Sequence, residues 1–197
     1  MKIRQIGYGW SEILKCHHKL RNFRRVCEDY EIIWQLRSEY ELKDSILAIG
    51  FSHASRSYIE IYDTETAIEY FNVLIGVDEE DPIYKWGCLQ KSKALIVQND
   101  FKEAYEIVCK IAIKNPNDIS ALILLTVVAK ELEKPYKNFT KKIMKICEES
   151  VEPLREALEE VCPDYLQPSF LDALVTESGR AENFVAFRQS FQLLIFH

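Results

Sequence analysis

Between Trp86 and Pro116 the apolar positions fall into two runs at helical spacing, separated by a polar turn. Cys88, Leu89, Ala94, Leu95, Ile96 and Val97 make the first run, and Phe101, Ala104, Ile107, Val108, Ile111 and Ala112 make the second. Gln98-Asn99-Asp100 separates them, and Asn115-Pro116 stops the second, because proline cannot donate the next helical hydrogen bond. The pattern predicts a helix, a tight turn and a second helix. Ser92 and Ala104 stand twelve residues apart, and Ala104 stands twelve before Pro116. Small side chains at such points let two antiparallel helices approach closely.

The same pattern recurs on the N-terminal side. Trp10, Ile13, Leu14 and His17 share one helix side, a turn follows at Arg21-Asn22, and Phe23, Val26, Tyr30, Ile33 and Trp34 continue on a second helix to about residue 37. A link over 38–43 leads to a helix predicted over 44–62, with Asp44 as N-cap, then a turn at Asp63-Thr64 and a helix over 65–77. Ser55 and Ala67 are the small residues there, and Val26 is a larger substitute in the first pair. Val26, Ala67 and Ala104 are 41 and 37 residues apart. A helix-pair repeat of about 34 residues is the nearest regular period, so this repeat is stretched. After Pro116 the strongly apolar run 118–133, opened by Asn117-Asp118, reads as the helix that caps such an array. Pro135 interrupts it and a helix over 136–150 follows. The expected organisation is an array over 8–150 and an extension over 151–197. The extension holds short helices at 153–161 and 169–175 and an apolar tail helix from Ala181. That tail packs on the array or on a partner, a second copy included, since it is too apolar to face water.

Composition agrees with an all-α fold. Hydrophobic residues make up 48% of the 197-residue chain, enough for a core, and only 6 Gly and 6 Pro are present, too few for a many-turned sandwich. The net charge of -6 argues against a nucleic-acid binder, since phosphate neutralisation needs a basic surface. The basic stretches at 19–25 and 137–145 read as solvated helix faces. Six cysteines without a paired spacing read as reduced thiols of a cytoplasmic or nuclear protein, and no run suits a bilayer.

Catalytic chemistry is not signalled. Cys16, His17, His18 and His53 are the nearest approach to a ligand or catalytic cluster, yet adjacent helical residues diverge by about 100°. No metal site, cofactor or enzyme activity is expected. Glu79-Glu80, Glu148-Glu149 and Glu159-Glu160 read as surface charge.

Residues 10–149 resemble the tetratricopeptide domain of FKBP-type immunophilins and aryl-hydrocarbon-receptor-interacting co-chaperones. The resemblance lies in three helix pairs with a stretched first repeat, the turn Asn99-Asp100-Phe101 followed by Glu103-Ala104, Asn115-Pro116-Asn117, and a basic last helix through Lys141-Lys142. It implies three pairs in a right-handed superhelix whose concave groove binds a peptide, acting as a co-chaperone or adaptor scaffold. In such families a two-carboxylate clamp of lysine, arginine and asparagine holds the acidic EEVD tail of heat-shock chaperones. The equivalent positions here are Ser11, Lys15, His53, Trp86 and Gln90, none of which matches, so tail binding is expected to be weak or lost. Trp10, Tyr58, Lys85, Lys91 and Lys93 are neighbouring candidates. Trp10 is expected to pack inward and Trp86 to be an exposed peptide anchor.

Overall fold

The computed structural model describes residues 2–36, 44–76, 79, 80, 82–148, 150, 152–162 and 166–178, and the elements among them are all α-helices. The expected link over 38–43 and the tail helix from Ala181 lie outside the described residues. The chain divides into two compact units, Met1–Gly76 and Val77–His197.

The first unit holds α1 (Lys2–Lys19), α2 (Phe23–Leu36), α3 (Asp44–Glu60) and α4 (Thr64–Leu74). α3 is its centre, packed against α1, α2 and α4. Gly50 permits that approach: a Cβ there would stand 3.2 Å from Leu14 Cδ1 and 3.3 Å from the Tyr30 ring. Around it, the rings of Tyr30, Phe51 and Tyr70 meet at centroid distances of 4.8 to 6.0 Å.

The second unit holds α5 (Pro82–Val97), α6 (Phe101–Lys114), α7 (Ile119–Glu131), α8 (Lys137–Ile146), α9 (Glu152–Val161) and α10 (Gln167–Ser178). α5 starts before Trp86, with Pro82 as its first residue, where the missing N–H is harmless. α7 is buried continuously from Ala121 to Ala129 because α5, α6, α8, α9 and α10 all pack on it. The run 118–133, expected as a capping helix, is α7. A terminal cap keeps a polar outer face, and α7 has none over those nine residues. α9 and α10 belong to the same unit as α5–α8, so position 150 marks no break in packing among the described residues.

One joint recurs in four helix pairs among the described residues. Two residues past the end of the first helix of each pair stands a left-handed residue: Arg21 (φ 57°), Tyr62 (63°), Asn99 (65°) and Glu133 (55°). The following N–H reaches back to a carbonyl five residues earlier, Asn22 to His17, Asp63 to Tyr58 and Asp100 to Leu95 at 2.9 Å, and Lys134 to Ala129 at 2.7 Å. That bond satisfies a carbonyl the helix end would otherwise leave open. At one matching position of each second helix stand Val26, Ala67, Ala104 and Thr140, all 0% exposed. At the matching position of each first helix stand Leu14, Ser55, Ser92 and Thr126, also fully buried. The hydroxyls of Ser55, Ser92 and Thr126 each donate to the carbonyl four residues back at 2.8 Å, which makes a polar residue tolerable at the crossing. The fourth pair, α7 and α8, is the one the sequence pattern does not separate from its surroundings.

Candidate partner groove

The candidate residues lie on first-of-pair helices, some in the first unit and some in the second. In the first unit, Ser11 is buried on α1 and Trp10 half-buried. Lys15 is half-exposed and lies 3.5 Å from Glu12. His53, on α3, has its ring 5.5 Å from that of His18, whose Nδ1 lies 3.0 Å from Ser57 Oγ. Nδ1 of His53 is buried with no partner among the described residues. Burial, helped by the cations of Arg56 and Lys15, pulls the His53 pKa down from its ordinary value. Tyr58 does not line a groove. It is buried, its hydroxyl donates to Glu31 Oε1 at 2.6 Å, and its ring meets Tyr70 of α4. Burial and that bond hold the phenol protonated.

His17 and Cys16 diverge from His18, as helical geometry requires. His17 Nε2 lies 3.9 Å from the buried carboxylate of Asp29, which Arg25 holds at 2.9 Å, and Cys16 is exposed. No group of three metal-ligating side chains forms among the described residues.

In the second unit, Trp86, Gln90 and Lys93 follow one another at helical spacing along α5. Trp86 is not a free anchor: it is half-buried, and its indole N–H donates to Glu160 Oε1 on α9 at 3.0 Å. Gln90 is 0% exposed, and its amide N–H donates to the Glu160 backbone carbonyl at 3.4 Å. Because a carbonyl only accepts, that contact fixes the amide's orientation. Gln90 Oε1 is left buried with no partner among the described residues. Lys93 is buried as well. Lys85 and Lys91, one residue off this face, are engaged elsewhere: Lys85 pairs with Asp118 at 2.8 Å and Lys91 with Glu103 at 2.8 Å.

The segment covering α5 and α7 is α9, with Leu154, Ala157, Leu158 and Val161 buried along one stripe. Glu160 at its end therefore meets the α5 candidates rather than standing as the plain surface charge that its place beside Glu159 suggests. The signal that would have found it is the i, i+3, i+4, i+7 apolar stripe of 154–161, which marks a helix with one face to bury.

No family model matches the chain, and no curated protein or solved structure matches it. No helix among the described residues is long and apolar enough to cross a membrane.

Proposed function

We propose that the chain is a protein-interaction scaffold of tetratricopeptide type, an adaptor or divergent co-chaperone that takes a protein partner on the face of its first-of-pair helices. The observation that carries this reading is the recurrence of one joint, with its left-handed residue and fully buried crossing positions, at α1–α2, α3–α4, α5–α6 and α7–α8. Helix pairs joined in this way are the units from which repeat arrays build partner-holding surfaces.

The acidic tail of a heat-shock chaperone is not the favoured ligand. Two carboxylates need several converging donors, whereas Trp86 and Gln90 face α9 and the cations of Lys85 and Lys91 are held by Asp118 and Glu103. A titrated EEVD peptide should release no measurable heat at micromolar concentration.

The scaffold reading is tested by quantitative affinity capture from extract, using the full chain and a Trp86→Ala full chain of unchanged helical content. A stoichiometric protein recovered by the first and depleted with the second supports it. Recovery of no stoichiometric protein, or equal recovery by both chains, overturns it.

A further inference from the structure

We infer that α9 is an internal ligand of the α5–α7 face, and that the external partner of this face is an amphipathic helix, bearing a carboxylate at the position of Glu160, that takes α9's place. The inference rests on the scaffold reading and names its ligand. The chemistry of the occupant is read from α9 itself. Its stripe of Leu154, Ala157, Leu158 and Val161 is buried where it packs on α7 and α5. Glu152, Glu156 and Glu159 are exposed on its other sides, with Arg155 bonded to Glu152. Glu160 supplies both polar contacts to α5, a side-chain oxygen to Trp86 and a backbone carbonyl to Gln90.

The polar fit of α9 to α5 is incomplete, which gives a partner room to compete. The Gln90 contact is long, at 3.4 Å, and the same side chain keeps a buried oxygen that α9 leaves without a donor. A buried acceptor that no side chain donates to costs stability. A helix with the same apolar spacing, a carboxylate to meet Trp86 and one donor aimed at Gln90 Oε1 would make every contact α9 makes and one more. Such a partner carries a carboxylate where it meets Trp86 and a neutral donor at the position facing Gln90, such as asparagine or serine.

The probe is a fluorescein-labelled synthetic peptide with the sequence 150–163 of this chain, followed by anisotropy against the full chain and a Glu160→Ala full chain. Removing the Trp86 acceptor raises the fraction of chain with its face open, so the peptide should bind the substituted chain about tenfold more tightly. Glu160→Gln, which keeps an acceptor, should return the affinity toward that of the unsubstituted chain. A peptide with Leu154 and Leu158 replaced by Asp should not bind. In parallel, hydrogen exchange should show the amides of α9 opening before those of α7, and about fivefold faster in Glu160→Ala with α7 unchanged.

Equal peptide affinity for both chains, or common exchange of α9 and α7, would overturn the inference by making α9 a fixed part of the core. A concentration-dependent dimer of Glu160→Ala would overturn it differently, by placing a second copy's α9 on the face. Either result is separable from failure of the scaffold reading, which Trp86-dependent capture decides by itself.

Discussion

Burial of the His53 ring, with the cations of Arg56 and Lys15 beside it and Glu12 opposing them, favours the neutral imidazole and holds its pKa below the ordinary 6.5. The unfolded chain therefore takes up a proton here at higher pH than the folded chain does. Stability from this group is complete above pH 6.5 and is lost as pH falls below that value toward the folded pKa. His53→Gln is expected to flatten the fall in melting temperature between pH 6.5 and about 5, read by calorimetry at several pH values. Thiols divide in the same way. Cys27 is pushed up to about 12 by burial, with Glu31 and Asp63 adding to it, and burial raises Cys88 and Cys147 too. Cys16 is exposed. A thiol-specific reagent should label Cys16 first in the native protein and reach Cys27, Cys88 and Cys147 only on unfolding, as peptide mapping would show. These environments were not legible in the sequence. Cys16, His17 and His18 are neighbours in the chain, and only the helix turns them toward different surroundings.

At the scale of the element, the helix ends carry sequence-readable instructions. Asp100 and Asp118 cap α6 and α7, accepting from the N–H of Glu103 at 3.2 Å and of Ala121 at 3.0 Å. Asp118 has a second task, since its other oxygen holds Lys85 at 2.8 Å and ties α7 to α5. Asp118→Ala should therefore destabilise by about 2 kcal/mol and Asp100→Ala by about 1 kcal/mol, measured by urea unfolding. Equal effects would mean the Lys85 bond contributes nothing. The repeat register was also legible, through a signal easy to overlook. Gly50 and Gly87 are 37 residues apart, as are Tyr62 and Asn99, and Ala121 follows Gly87 by 34, as Glu133 follows Asn99. The fourth pair was hidden because Pro135 stands where the earlier pairs have a plain turn, and because Thr140 is larger than Ala67 and Ala104 of the two pairs before it.

For the whole molecule, the second unit is organised around α7, and its energetics should follow. Leu124 is 0% exposed on a helix surrounded by five others, so Leu124→Ala should cost about 3–5 kcal/mol by urea unfolding. Ile113, 78% exposed near the end of α6, should cost less than about 0.5 kcal/mol when replaced by Ala. The contrast between these apolar residues lies in the packing around each, which hydropathy does not record. The run 118–133 looks like an outer cap because its sequence says only that it is apolar. Its central place depends on α9 and α10 returning to it after α8.

The sequence by itself determined the helical class, the turns at Arg21-Asn22 and Gln98-Asn99-Asp100, the cap at Asp118, and the crossings at Ser55–Ala67 and Ser92–Ala104. Each of these is a local matter, fixed by periodicity, capping chemistry and side-chain size within one helix pair. The tertiary structure alone decided that Trp86 and Gln90 meet Glu160, that Lys85 and Lys91 are held by Asp118 and Glu103, and that Tyr58 turns inward to Glu31. Glu160 lies 70 and 74 residues beyond the α5 side chains it meets. A one-dimensional pattern states that α9 has an apolar face to bury, and only the folded chain chooses which surface buries it.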